Sequence, residues 1–290
     1  GLAFVPPELR EDRGEIQAAL EDRLPDLVEL ADLRADLHSH TTWSDGTLSV
    51  REMARAALER GHRVLAIIDH SQSLVVTGGL TPARLREQRA EIEQARAEFG
   101  DRLLLLHGAE VEIRADGALD YDDETLAWLD IVVASLHTSL RQAREQITAR
   151  LLAAVRHPHV DIIGHPTGQL IGEREPADLD MEAVLAAAAQ SGVALEINAN
   201  PARLDLNDGL ARRALELGCT LSINTDAHRA SDFDLLEYGV ATARRAWAPA
   251  AAILNTWPPE RLQEWLAGRR SAGRRSAAQV ALPIPPPLTL

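Results

Sequence analysis

The 290-residue chain has 30 Lys and Arg against 44 Asp and Glu, a formal net charge of −14, with 46% hydrophobic and 26% charged residues. That composition suits a globular protein, but its sign opposes tight, sequence-independent binding to a phosphate backbone, which rests on Lys and Arg. No apolar stretch nears the ~18–20 uncharged residues of a membrane span, and a single cysteine, Cys219, excludes an intramolecular disulfide and a thiolate metal cluster. Cys219 lies in an apolar run and reads as a buried, inert thiol, consistent with a cytoplasmic location.

Residues 1–33 differ from the rest. Gly1–Pro7 has no charged segment leading into an apolar core, so it does not read as a signal peptide but as a chain cut from something longer. Charged stretches around Glu11–Glu15 and Glu21–Arg23 suggest a linker with one or two helical turns. From Ala35 onward, strand-like runs alternate with helical stretches. The runs are Ala35–His38, Val64–Asp69, Leu103–Glu112, Asp130–His137, Val160–His165, Val193–Asn198 and Thr220–Thr225. The helical stretches are Val50–Arg60, Pro82–Phe99, Arg141–Arg156, Met181–Gln190 and Leu210–Leu217. Short continuous apolar runs suit strands buried on both faces, and Gly61, Gly100, Gly192 and Gly218 stand where helix C-caps are expected. The alternation predicts an α/β fold of seven βα units, an incomplete or distorted barrel over residues 34–267. A last helix is expected to end near Ala267. Residues 268–290, Arg/Ser/Ala-rich and then Pro-rich, read as a disordered tail.

The chemistry sits where the strands end. Residues i and i+2 of a strand share a face, so His38 and His40 can meet one cation. Asp45 follows in a turn able to fold back over them. His70 closes the second run and Glu110 lies inside the third, where an acid is costly unless paired or metal-bound. His137 and His165 close the fourth and fifth runs, and Asp226-Ala227-His228 repeats the i, i+2 spacing after the seventh. Ligand-type residues at the carboxyl ends of successive parallel strands share one rim of a barrel. His/carboxylate sets without Cys suit Zn²⁺, Mn²⁺ or Fe²⁺, and these nine exceed what one or two tetrahedral sites need. Clustered divalent cations suit phosphoester hydrolysis: they bind phosphate oxygens and lower the pKa of a bridging water. His62, His107, His157 and His159 fall elsewhere in the units and read as structural. The sixth run ends at Asn198, without a ligand, and leads into Asn200 and Arg203 on what is expected to be the substrate side of the rim.

These motifs resemble the polymerase and histidinol phosphatase (PHP) superfamily over about residues 34–240. The likeness rests on Asp36-Leu37-His38-Ser39-His40-Thr41, Ser44-Asp45-Gly46, Asp69-His70, Gly108-Ala109-Glu110, Ser135-Leu136-His137, Gly164-His165-Pro166 and Thr225-Asp226-Ala227-His228. Within it, Phe4–Glu15, Gly78-Gly79-Leu80, Glu196–Pro201 and Arg203–Leu206 are similar to bacterial family X DNA polymerases. The resemblance implies a distorted seven-stranded, TIM-like (β/α) barrel with its site at the strands' C-terminal ends and three divalent metals, Zn and/or Mn. His38, His40, Glu110 and Asp226 would bind the first ion; Glu110 would bridge to a second held by His137 and His165; Asp45, His70 and His228 would hold the third. Glu110, Asp226 and His228 are expected to serve catalysis. Arg203, Arg174 and Asn200 are candidate substrate contacts, and Gln169 stands where the subfamily often has a basic residue.

The resemblance implies a 3′–5′ exonuclease acting on DNA 3′ ends by metal-activated hydroxide, with residues 1–33 joining a polymerase domain that lies outside this chain. A phosphomonoesterase for a small metabolite, of the histidinol phosphatase kind, and a non-catalytic metal-stabilised scaffold are the alternatives. At −14 net charge, weak and non-processive action on DNA is expected.

Overall fold

A computed structural model describes residues 2–280, with side chains through Ser271. Seven parallel strands run in sequence order: β1 (Ala35–Ser39), β2 (Val64–Ile67), β3 (Leu104–Glu112), β4 (Ile131–Ser135), β5 (Ile162–Ile163), β6 (Ala194–Asn198) and β7 (Leu221–Asn224). They curl into a nearly closed barrel, the predicted architecture. β1 and β7 form no ladder among the described residues, and the backbone link across the seam is a bridge between Ser39 and Ala227, just past β7. Below it, side chains stitch the seam: Asn224 Oδ1 accepts from Leu37 N at 3.0 Å, and Asn255 Nδ2 donates to Ala35 O and Ile223 O. These bonds satisfy backbone groups that the irregular ladder leaves open.

The helices are α1 (Glu15–Leu20), α2 (Val50–Glu59), α3 (Pro82–Phe99), α4 (Asp123–Trp128), α5 (Arg144–Val155), α6 (Met181–Ser191), α7 (Asp208–Glu216), α8 (Leu236–Arg245) and α9 (Pro259–Val280). Their starts follow local chemistry. Ser49 and Glu52 form a capping box on α2, and Thr81 caps α3 with Pro82 in its first turn. α4 and α8 are additions to the sequence expectation; α4 is too short for a periodic signal. None of the described helices is long and apolar enough to cross a membrane.

The barrel interior has two storeys. Ala35, Val64, Ala66, Ile131 and Ile162 form an apolar floor plugged by Trp257, Leu262 and Leu266. An extra residue in β1 between Asp36 and Ser39 shifts its register against β2. Leu37 thus joins the floor while His38 and His40 turn into the storey above, the re-aiming that a bulge performs.

The lead-in packs on α8: Val5, Leu9, Ala19 and Leu27 form a small cluster with Trp247, and Arg244 reaches Glu8 at 2.6 Å. The expected helix end near Ala267 is corrected. α9 continues to Val280, and Arg269 donates to Ser191 O, to Val160 O and to buried Asp161. Ala and Arg are good helix formers, and these bonds hold the first residues of the supposed tail against the barrel. Residues 281–290 of the expected tail lie outside the described residues.

Candidate metal centre

His38 and His40 lie at the end of β1, fully buried, with ring centroids 5.2 Å apart. Glu196 fixes the first ring: its Oε1 is 2.8 Å from His38 Nδ1. His38 Nε2 therefore faces Glu110 Oε1 at 3.4 Å and Asp226 Oδ1 at 3.7 Å. His40 Nε2 lies 3.1 Å from Asp226 Oδ1 and 3.7 Å from Glu110 Oε2. A second-sphere carboxylate of this kind selects the tautomer and orients the free nitrogen.

Asp69 builds the turn that brings in Asp45. Its carboxylate accepts from Thr41 N and Oγ1 and from Ser44 N and Oγ. The turn is so tight that a Cβ on Gly46 would sit 2.5 Å from His40 O, so only glycine fits. Asp45 Oδ2 then lies 3.5 Å from His70 Nε2, and its Oδ1 3.3 Å from His228 Nε2.

Glu110 is the hub. Its Oε1 is 2.9 Å from His165 Nε2 and 3.2 Å from His137 Nε2; its Oε2 is 2.8 Å from His70 Nδ1. His137 is oriented from behind by Glu112 Oε2, 2.9 Å from its Nδ1, and Glu112 in turn pairs with buried Arg150 at 3.1 Å. His165 and Asp226 both take positive φ, 25° and 55°. Such backbone strain in non-glycine residues concentrates at functional sites.

Burial and charge act against each other here. Burial opposes charging His70 and His228, yet neighbouring carboxylates raise them to about 10 and about 9. Burial and the His70 charge lower His40 to about 4, and burial lowers His165. Burial would raise Glu110 and Asp226, but the surrounding imidazoles hold both far below the usual carboxylate range.

The cluster does not satisfy itself. His38 Nε2, both nitrogens of His40 and His165, His70 Nδ1 and both oxygens of Glu110 are buried without a hydrogen-bond partner. Each such group costs ~1–3 kcal/mol if left bare; the carboxylate oxygens, and the one unprotonated nitrogen that each neutral imidazole offers, are donors of the kind that divalent cations take. Ligand atoms within 4.8 Å of one another form four overlapping sets: His40, Asp45, His70 and His228; His38, His40 and Glu110; His38, His165 and Asp226; and His70, Glu110 and His137. The donor set thus fits bound cations. The pocket opens on one side, with side-chain exposure of 33% at His228 and 31% at Asp45 against none at His38 and 1% at Glu110.

All nine predicted ligands therefore converge. The excluded histidines stay away: His107 bonds Gln88 Oε1 at 2.9 Å, His157 faces Asp123, and His62 is buried beside Phe233. On the substrate side, Arg203 Nε lies 3.6 Å from Asp226 Oδ2, with Nη1 buried and unpaired. Arg174 donates to Gly168 O; burial and the nearby Arg203 and Arg141 make its charge harder to hold. Asn200 is used locally, accepting from Ala202 N at 3.0 Å. Gln169 donates to Arg203 O at 2.6 Å, bracing the loop that carries the guanidinium.

Sequence reasoning missed the orienting acids Glu196, Glu112 and Asp69. Glu196 also accepts from His165 N and Asn224 Nδ2. The signal existed: Glu112 and Glu196 are acids inside apolar runs, the criterion that selected Glu110.

A PHP domain model matches residues 36–200, more than half of the chain. The chain is 46% identical over 255 residues to the DNA polymerase/3′-5′ exonuclease PolX of Bacillus subtilis (strain 168), covering 88% of this chain but 44% of that protein. It is 30% identical to a probable phosphatase of Thermoanaerobacter sp. (strain X514), covering 76% of this chain and 89% of the relative. In fold it is similar to the histidinol phosphate phosphatase of Lactococcus lactis subsp. lactis, solved with zinc, L-histidinol and phosphate. The TM-score is 0.53 at 19% identity, over 73% of this chain and 93% of that one. The barrel, its rim of histidines and carboxylates, and these matches together make the chain a member of the PHP family of metal-dependent phosphoesterases.

Proposed function

We propose that the rim is a three-cation centre, loaded with zinc or manganese, that hydrolyses DNA phosphodiester bonds from the 3′ end. The observation that carries this reading is the set of buried histidine and carboxylate lone pairs without partners. The choice of DNA is supported by the 46% identity to a relative named as a 3′-5′ exonuclease. Bound cations would supply Lewis acidity and a hydroxide at neutral pH. The count of three is the one that the resemblance to the PHP superfamily implies, and the four donor sets, which share His38, His40, His70 and Glu110, leave room for more than one ion.

The chain's own residues divide the remaining work. Glu110 offers one oxygen to the His137/His165 side and the other to the His40/His70 side, so it can couple adjacent ions. Asp226 faces the imidazoles with Oδ1 and Arg203 with Oδ2, linking the ion pocket to a guanidinium that can receive a phosphate. His228 is steadied by Asp226 O at 2.7 Å from its Nδ1 and presents Nε2 at the open edge, where the scissile phosphate would enter. Arg174 stands ready for the neighbouring phosphate.

The polymerase part of the Bacillus subtilis relative would precede the lead-in that packs on α8, and action on the cell's DNA carries the cytoplasmic location. The test is a 5′-labelled single strand with Mn²⁺, run beside a small phosphomonoester. Stepwise shortening is expected. Phosphate release alone would favour a phosphomonoesterase, the second reading, which the 30% identity to a probable phosphatase supports. Silence in both assays would leave a scaffold.

A further inference from the structure

The two most exposed large apolar side chains among the described residues stand side by side at the mouth of the barrel. Val75 is 79% and Val76 102% exposed, on the β2–α3 loop directly after His70. The loop does not fray. Leu80 N bonds His70 O at 2.8 Å, Gly79 N bonds Leu74 O at 3.1 Å, and Asp120 receives Ser73 N at 2.7 Å. Gly79 closes the neck so tightly that a Cβ there would lie 2.0 Å from Ser71 O. Arg84 ties the loop to the Asp45 turn, donating to both Gly78 O and Trp43 O. A hydrogen-bonded backbone thus holds two valines in water on the loop that follows a candidate metal ligand.

A counterpart lies across the mouth. Ile171, 54% exposed, tips the loop after β5, which is separated from β2 by two strands one way around the barrel and three the other. Ile171 N bonds Ala202 O at 2.7 Å, fixing this tip beside Arg203. Both apolar tips therefore belong to loops on the rim where the strands' C-terminal ends hold the ion pocket, with Arg174 and Arg203 on the loops tied to the Ile171 tip.

We propose that Val75, Val76 and Ile171 are jaws that take the unpaired terminal bases of a single DNA strand while the arginines take its phosphates. Aliphatic side chains serve as wedges against base faces elsewhere, and contact with faces is sequence-tolerant. A paired terminal base offers only its outer face whereas an unpaired one can offer both, so the jaws grip unpaired ends better. The proposal rests on the exonuclease reading and adds how the strand is held.

The test compares two 5′-labelled single strands of equal length, one with normal 3′-terminal nucleotides and one with abasic residues there. The protein is expected to cleave the base-bearing strand with about tenfold higher kcat/KM, the scale of burying one aliphatic side chain against a base. A Val75→Ser/Val76→Ser variant should lose most of that preference, and Val75→Leu/Val76→Leu should restore it. An unchanged preference in the Ser variant, or none in the parent protein, would overturn the jaws while leaving the exonuclease reading intact. A parent protein that shortens neither strand would instead fail the exonuclease reading itself.

Discussion

The two storeys of the barrel solve opposite problems with the same strands. The floor buries Val64, Ala66 and Ile131 under Trp257, Leu262 and Leu266. The upper storey gathers histidines and carboxylates, and buried atoms of His38, His40, His70, His165 and Glu110 have no hydrogen-bond partner there. One stabilises the fold through apolar burial; the other keeps buried polar groups that cations can satisfy. The histidines show the contrast best. At the rim, Glu110 and Asp45 lift His70 to about 10 against burial. Away from it, burial with Arg60 lowers His62 to about 4, and burial with Arg89 lowers His107 to about 4.

The sharpest way to break this division is to truncate one residue from each storey. Asp226→Ala should lower hydrolysis by ~10³-fold or more, because it removes a ligand and the anchor of Arg203 together. Its denaturation midpoint should gain less from added metal than that of the parent protein. Leu262→Ala should do the reverse, costing ~2–5 kcal/mol in denaturant titrations while folded molecules keep their activity. Equal effects of both variants on both measurements would dissolve the distinction.

A smaller effect comes from pH. The unfolded imidazole titrates near 6.5, and His62 titrates at about 4 in the fold. Its contribution is complete above the unfolded value and is lost as pH falls from there toward 4, because only the unfolded chain takes up the proton. The limit is roughly 3 kcal/mol. Urea titrations at pH 7.5 and 5 should show a smaller pH difference for His62→Gln than for the parent protein. An identical difference would mean His62 is not held neutral by burial.

The smallest expected effect is at Glu196→Gln, which keeps shape but weakens the acceptor behind His38. Metal affinity should fall by ~10–100-fold, read by competition with a chelator, with the fold intact. No change would make Glu196 a core residue only.

Much of this was legible in the sequence because the signals were local. Strand runs and C-terminal ligand positions come from short-range patterning, so the barrel and the nine rim residues could be read directly. The β1 bulge could not, since it appears only against β2. The seam between β1 and β7 depends on Asn224 and Asn255, whose partners are distant in sequence. The length of α9 was misjudged for the same reason: Arg269 is held by Asp161, far away along the chain. Glu112 and Glu196 were visible as acids in apolar runs, but their role behind His137 and His38 is a matter of three-dimensional facing.

In the proposed centre Glu110 is the carboxylate that adjacent cations would share. The most direct test is the number of tightly held divalent ions per chain, measured by elemental analysis after gel filtration, in the parent protein and in Glu110→Gln. About three ions are expected in the parent, with at least two lost from the variant. A parent protein that retains one ion or none, or a Glu110→Gln variant that retains its full complement, would contradict the account.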